Sequence, residues 1–144
     1  MVIRRVVWTA VLGAALVWGL VYLHDPPWLI NETSGLRGWE HRAGQPPYRW
    51  SGGHASFFVH SDASAVEFPV STTFDEHDAR PMMVTVSVDD KVAARLVISD
   101  GGWQRIRVPL PPRGSRRVRR IDVRTSVTRE SNHGVRVGEV EYVR

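Results

Sequence analysis

The sequence predicts an all-β fold, an antiparallel β-sandwich of the jelly-roll kind, preceded by one N-terminal transmembrane helix. Residues 6–23 carry no charge, residues 48–144 alternate apolar and polar side chains with a period of two, and no segment with helical periodicity follows the first run. A chain of 144 residues has room for one domain after that run. We therefore expect a cytoplasmic tip at 1–5, an anchor at 6–23, a tether and lead-in at 24–47, and an extracytoplasmic sandwich at 48–144.

The apolar run has the length and composition of a membrane span. Nine of its 18 residues are Val or Leu, and as a helix it is about 27 Å long, close to the ~30 Å hydrocarbon core of a bilayer. Arg4 and Arg5 precede it, so the positive-inside rule predicts a cytoplasmic N-terminus and an exported remainder. The alternative is a cleaved signal peptide, whose best cleavage pattern, 17–19, lies inside the run. Both interpretations export the rest of the chain.

Small residues on the anchor suggest a second possibility. Ala10 and Ala14, and Ala15 and Gly19, are two small pairs four residues apart, a spacing that lets another membrane helix approach closely. The alternative is that these are the small residues common in any membrane helix.

Residues 24–47 contain two Pro-Pro pairs and three glycines but no sustained period, which is typical of a tether. Trp28, Leu36 and Trp39 are apolar enough to pack against the domain that follows.

From Tyr48 onward, period two and β-branched residues indicate short strands, seven to nine in all. The expected inward sets are Ala55, Phe57 and Val59; Val66, Phe68 and Val70; Val84, Val86 and Val88; Val92, Ala94, Leu96 and Ile98; Ile106, Val108 and Leu110; Ile121, Val123, Thr125 and Val127; Val135 and Val137; and Val140 and Tyr142.

The connections carry further predictions. A three-residue loop at 89–91 pairs Val88 with Val92 and keeps both apolar sets on one side. The inward phase slips by one residue at 138–139, which predicts a β-bulge. Pro69 and Pro109 are expected at edges or bulges, because proline cannot donate to a strand ladder.

Composition excludes several classes of function. The chain has no cysteine, which removes disulfides, thiolate metal sites and cysteine nucleophiles. Without Arg4 and Arg5, 17 basic residues face 15 acidic ones, a net charge of +2 that is too mild for a nucleic-acid binder. No nucleophile elbow or recognisable carboxylate pair is present. We predict a protein that is not an enzyme and that holds no metal or cofactor.

Three segments carry a resemblance. They are Tyr48-Arg49-Trp50-Ser51-Gly52, the stretch 102–111 (GWQRIRVPLP) and the stretch 134–140 (GVRVGEV). Their order resembles bacterial membrane-tethered jelly-roll modules of the cell envelope, which are similar in shape to carbohydrate-binding modules and are often associated with membrane glycosyltransferases. The resemblance covers about residues 48–143 and implies no catalytic residue. Asp90, where such modules usually have a turn glycine, departs from the pattern.

Two groups are candidate ligand-binding residues. Strict alternation places Trp103, Arg105 and Arg107 outward, where an indole can stack on a sugar ring while guanidinium groups donate to its oxygens. Tyr48 and Trp50 share a strand face and form a candidate aromatic platform. The alternative for each aromatic residue is a place in the packed interior.

Charged segments give weaker signals. A candidate basic patch for anionic lipid, phosphorylated glycan or an acidic partner consists of Arg113, Arg116, Arg117, Arg119, Arg120 and Arg124; the alternative is a solvated surface. His54 and His60 are outward but too far apart on one strand to share a metal. Residues 75–78 (DEHD) lack an ordered calcium-ligand spacing, so a solvated loop is expected.

Two functions remain open from these observations, and an envelope hydrolase is a third alternative. The first is a membrane-anchored extracytoplasmic module that binds envelope glycan or assists a membrane glycosyltransferase. The second is a non-enzymatic assembly subunit of a membrane protein complex. The expected partners are the membrane together with a glycan or a polytopic membrane enzyme, and not nucleic acid.

Overall fold

A computed structural model describes residues 2–73, 80–128 and 132–144. Helix α1 (Val2–His24) is followed by a short 3-10 helix (Pro27–Asn31) and antiparallel strands. The strands of the described residues are β1 (Thr33–Glu40), β2 (Tyr48–His60), β3 (Ala65–Ser71), β4 (Met82–Val88), β5 (Lys91–Ile98), β6 (Gln104–Pro109), β7 (Val118–Thr125), β8 (Arg136–Gly138) and β9 (Glu141–Val143). This is the predicted all-β architecture behind one apolar helix.

Helix α1 makes little contact with the domain. Its side chains are exposed from Val6 to His24, and its most apolar window has a mean hydropathy of 2.1. A helix of this length and character is suited to cross a membrane, and a signal sequence has the same character.

Strand β2 connects the two walls of the sandwich. The strand order is β5-β4-β7-β2-β8-β3-β6, with β1 added to β2 and β9 to β3. His54–His60 of β2 pair with β7, whereas Tyr48–Trp50 pair with β8. We call the two sides of this curled sheet the β4–β7 wall and the β3–β8 wall. The core lies between them, where the rings of Phe57 and Phe68 meet edge to face at 5.7 Å.

Most predicted inward residues form this core. Those buried in the hydrophobic cluster are Phe57, Val59, Val66, Phe68, Val70, Val84, Val86, Val88, Ile98, Ile106, Val108, Leu110, Ile121, Val123, Val135 and Val137. Ala94, Leu96, Val127 and Val140 pack against it from partly buried positions. Val92 and Tyr142 are exposed, at 54% and 43%, so their predicted inward orientation is wrong.

The β4–β5 hairpin also differs from the prediction. Val88 pairs with Lys91 across a two-residue loop, and Asp89 and Asp90 both have positive φ (47° and 70°), as a type I′ turn requires. A register shift between Val86 and Ser87 then restores the inward phase of β5. The three-residue loop is wrong because the bulge, and not the loop, absorbs the extra residue.

Both prolines and the predicted bulge lie where the sequence places them. Pro109 ends edge strand β6. Val70 pairs with Val137, and Glu67 pairs with Glu141. The chain from β8 to β9 therefore has one more residue between these two pairs than β3 has, which is the predicted bulge. Pro69 lies opposite that slip, and on the other side of β3 it pairs with Arg105 of edge strand β6.

Strand β1 lies within the segment predicted as a tether and lead-in. It pairs with β2 from Thr33↔Phe57 to Glu40↔Tyr48, with irregular register on both sides of Leu36. Leu36 packs against the core, as expected, whereas most of the strand is exposed. An exposed edge strand needs no inward apolar alternation, which is why the pattern did not reveal it.

Candidate functional site

An aromatic cluster occupies the outer face of the β3–β8 wall. Trp50, Arg136 and Ser71 form one row across β2, β8 and β3. The Tyr48 ring lies 6.1 Å from Trp50 and 5.7 Å from Trp103, which enters from the start of β6. The four residues of what we call the aromatic cluster are therefore Tyr48, Trp50, Trp103 and Arg136.

A glycine sets the close approach of β8 to β2. A Cβ on Gly134 would lie 2.2 Å from the carbonyl oxygen of Gly52, which no side chain tolerates. The Gly134 N–H donates to the Ser51 carbonyl at 2.8 Å, and the Val135 N–H donates to Ser51 Oγ at 2.9 Å. These bonds hold the start of β8 against β2, so that Arg136 lies next to Trp50.

Arg136 lies at the centre of the cluster. Its guanidinium carbon is 5.4, 5.6 and 4.9 Å from the ring centroids of Tyr48, Trp50 and Trp103, which is cation–π range. The side chain is 7% exposed and forms no ion pair with a described carboxylate. Burial lowers the pKa of the Arg136 guanidinium.

Polar contacts complete the surroundings of Arg136. Nη1 donates to Gln45 Oε1 at 3.1 Å and Nη2 donates to the Thr72 carbonyl at 3.3 Å, while Nε has no partner among the described residues. Arg136 is thus stabilised by the quadrupoles of three rings and by two hydrogen bonds. The result is a compact group in which all three rings contact the guanidinium.

The connection between β1 and β2 covers the inner part of the cluster. The Tyr48 hydroxyl donates to Glu40 Oε2 at 2.9 Å, and Arg42 lies 3.7 Å from the same carboxylate. Gly44 has φ +76° in the turn that follows, where Gln45 N–H donates to the Arg42 carbonyl. Burial, and next the hydrogen bond to Glu40, raises the pKa of the Tyr48 phenol, so the neutral form is retained.

Accessibility separates the members of the cluster. Tyr48 is fully buried and Trp50 is 7% exposed, so neither offers an open platform. Trp103 and His133 are partly exposed, and the His133 ring lies 4.6 Å from Trp50. Tyr48 and Trp50 share one strand face, as predicted, but both lie in a packed interior under the β1–β2 connection. They therefore support the candidate site, and Trp103 lies at its partly exposed rim.

The other candidate ligand residues point outward without joining the rim. Arg105 donates two hydrogen bonds of 2.7 Å to the Glu141 carboxylate, and Arg107 donates one of 3.0 Å to Glu67. Both guanidinium groups are exposed but already paired with acids on β3 and β9. Their role in ligand binding stays a prediction.

The six arginines of the basic patch do not form one surface. Arg119 and Arg120 bond to Asp89, and Arg120 also bonds to Asp90 and Asp122. Arg124 lies on the outer face of the β4–β7 wall, in the row of Thr85 and His54. Arg113, Arg116 and Arg117 remain in the loop between β6 and β7, so the single patch predicted from the sequence is split into three parts.

The β4–β7 wall carries a polar network that the sequence pattern did not reveal. Asp122, whose side chain is 7% exposed, lies 3.0 Å from His54 Nε2 and accepts from Arg120 Nε at 2.9 Å. A shallow cavity of about 200 Å³ adjoins it. The lining residues are Thr85, Ser87, Asp90, Val92, Asp122 and Arg124. The sequence predicted that His54 points outward, but it did not predict the contact with Asp122, because that residue lies 68 positions away in the chain.

Residues 75–78 lie outside the described residues, so their expected state as a solvated loop stays a prediction.

Comparison with known proteins supports the fold class. A family 35 carbohydrate-binding module from Clostridium thermocellum is similar, with a TM-score of 0.50 at 11% identity, covering 76% of this chain and 88% of that one. A salicylyl-acyltransferase from a tetracycline biosynthetic pathway also has a TM-score of 0.50, at 12% identity, with 78% of this chain and 36% of that one covered. Such identities show the fold alone, a jelly roll of the kind found in carbohydrate-binding modules.

A weaker likeness is to a family two carbohydrate esterase from Clostridium thermocellum solved with cellohexaose. The TM-score is 0.49 at 8% identity, covering 77% of this chain and 31% of that one. This chain therefore spans about a third of the length of that esterase. No protein-family model matches the sequence, and no curated protein matches it.

Proposed function

We propose that this protein is a membrane-anchored, extracytoplasmic carbohydrate-binding module without catalytic activity. The exposed apolar helix α1 supports the anchor, and Arg4 and Arg5 ahead of the run support export of the domain. The jelly-roll fold is shared with a known carbohydrate-binding module. Fold alone does not define a ligand, so the proposal depends on the aromatic cluster.

The observation that carries the proposal is the partly exposed Trp103 above a rigid support. Its ring is held against Tyr48 at 5.7 Å and against the Arg136 guanidinium at 4.9 Å. An indole fixed in this way loses little conformational freedom when the apolar face of a sugar stacks on it. His133, next to Trp50, adds a ring nitrogen at the same rim that is able to bond a hydroxyl.

The test is binding of cell-envelope glycans to the full chain in detergent, measured by calorimetry after a glycan-array screen. Trp103→Ala is expected to weaken binding by about tenfold or more, as loss of a central aromatic contact does. Trp39→Ala is the matched control, because Trp39 is 44% exposed and packs on Arg49 on the opposite face of the β1–β2 pair. Equal weakening by both variants, or by neither, would remove Trp103 from the site.

A second function is favoured by one feature of α1. A Cβ added at Gly19 would meet nothing within 4 Å and Ala15 is exposed, so this small-residue pair is open to another helix. An assembly role beside a polytopic glycosyltransferase fits that surface. Co-purification of such an enzyme from membranes, lost when Ala15 and Gly19 are both changed to Leu while glycan binding is retained, would support it. Retention of the partner by the double variant would argue against packing through α1.

A further inference from the structure

The loop between β6 and β7, residues 110–117, is fixed to the end of helix α1. We call it the juxtamembrane loop. Asp25, which is 5% exposed directly after α1, accepts a short hydrogen bond from the Arg117 N–H, and the Arg117 side chain lies 3.8 Å from the same carboxylate oxygen. The Arg117 Nη2 also donates to the Asp25 carbonyl at 3.5 Å. Two hydrogen bonds and one ion pair therefore join the end of the helix to the loop.

Further bonds hold the loop from its other sides. The Ser61 hydroxyl donates to the Arg116 carbonyl at 2.6 Å, and the Ser61 N–H donates to the Arg117 carbonyl at 2.9 Å. Arg119 Nη2 donates to the Pro112 carbonyl at 2.8 Å. The loop is thus held at both ends, with residues 113–115 exposed between them.

The position of the loop along α1 places it at a membrane surface. Ser115 and Arg117 line a cavity of about 290 Å³ together with Leu20 and Val21, which belong to the last turns of the apolar run. Because that run is about 27 Å long and the hydrocarbon core about 30 Å thick, Leu23 lies near the boundary when α1 spans the bilayer. Tyr22 and Trp28, whose rings meet at 5.0 Å, lie at the level where interfacial aromatic residues are found.

The charge of this surface is concentrated in the loop. Arg119 and Arg120 are neutralised by three aspartates, and Arg117 is partly offset by Asp25. Arg113 is exposed and has no hydrogen bond or ion pair with another described residue, and Arg116 has no acidic partner among them. Two arginines of the juxtamembrane loop therefore have no acidic partner among the described residues.

We propose that the juxtamembrane loop binds the phosphate groups of anionic phospholipids in the outer leaflet, through Arg113 and Arg116. The inference rests on the membrane span proposed above and is independent of glycan binding. Guanidinium groups donate to phosphate oxygens in a forked geometry. The effect is to hold the domain upright on the bilayer, with the aromatic cluster on a wall and not against the lipid.

The test uses the full chain in vesicles, with a fluorophore on Ser115→Cys, which is the sole cysteine of that variant. Phosphatidylglycerol or phosphatidylcholine with brominated chains quenches the fluorophore, which yields a relative association constant. Since a basic residue near a membrane surface contributes about 1 kcal/mol, a preference for phosphatidylglycerol of roughly tenfold is expected. The double variant Arg113→Gln/Arg116→Gln is expected to remove most of it.

Arg95→Gln/Arg124→Gln is the matched control, because both side chains are exposed and Arg124 lies about 20 Å along β7 from its membrane end. Equal association of the two lipids, or a preference that survives the Arg113/Arg116 change, would overturn the proposal. Saturable binding of inorganic phosphate to the detergent-solubilised protein, in the absence of lipid, would also overturn the proposal if the same double variant abolished it. Carbonate extraction of the vesicles tests the span separately, and the Trp103 titration tests glycan binding separately.

Discussion

The outer faces of the two walls accommodate a buried charge in opposite ways. On the β3–β8 wall, Arg136 is enclosed by three aromatic rings and forms no ion pair with a described carboxylate. On the β4–β7 wall, Asp122 is held between His54 and Arg120, whose side chains are 51% and 40% exposed. The first arrangement depends on packing, and the second on ion pairs that remain in contact with water. A rigid binding support is expected of the first, and tolerance to substitution of the second.

The largest expected effect is from Arg136→Ala, which leaves three rings around an unfilled volume. We expect the free energy of unfolding to fall by about 3 kcal/mol. Urea unfolding of the full chain in detergent, followed by tryptophan fluorescence, measures it. Arg124→Ala removes an exposed arginine from the other wall and is expected to change stability by less than about 0.5 kcal/mol. Similar losses of unfolding free energy in the two variants would contradict this difference between the two walls.

Asp122→Ala is expected to cost less, about 1–2 kcal/mol, because His54 and Arg120 are free to turn toward water once the carboxylate is gone. The same unfolding experiment measures this loss. A double-mutant cycle with His54→Ala isolates the pair, for which we expect a coupling of about 0.5–1 kcal/mol. A loss greater than that of Arg136→Ala would reverse the order of the two walls.

A pH dependence belongs to the aromatic cluster. Burial raises the pKa of Tyr48 above its ordinary value of 10.0, so the unfolded chain ionises at lower pH than the folded one. Stability from this group is complete below about pH 10 and is lost as pH rises toward the folded pKa, by at most about 1.4 kcal/mol per pH unit. Alkaline unfolding of wild type and Tyr48→Phe measures the difference. Tyr142→Phe, at an exposed position, is the control and should keep the wild-type slope; a Tyr48→Phe slope equal to wild type would contradict the assignment.

The smallest effect is expected at the exposed pair of Arg105 and Glu141. Hydrogen bonds from Arg105 lower the pKa of the Glu141 carboxyl. Arg105→Gln should return that pKa toward its ordinary value, as an NMR titration would detect, without a measurable change in the unfolding midpoint. A clear loss of stability would mean that the outer face of the β3–β8 wall depends on this ion pair as well as on Arg136.

The sequence alternation predicted only part of the candidate site. Alternation placed Trp103 outward, where it is partly exposed, and placed Tyr48 and Trp50 on one strand face, where both are buried. Nothing in the sequence placed residue 103 against residue 48, because their contact depends on β8 inserting between β2 and β3. Arg136 was missed for the same reason, since a basic residue in a short strand is ordinarily solvated.

The sequence by itself determined the apolar helix, most of the core faces and the bulge after β8, because burial imposes a period that each strand carries in its own residues. Tertiary structure decided the features that carry no such period. These are edge strand β1, whose exposed residues need no alternation; the β4–β5 register, where a bulge offsets a two-residue turn; the ring enclosure of Arg136; and the attachment of Arg117 to Asp25. The register is set within one hairpin, whereas the other three features depend on residues far apart in the chain that only the folded structure brings together.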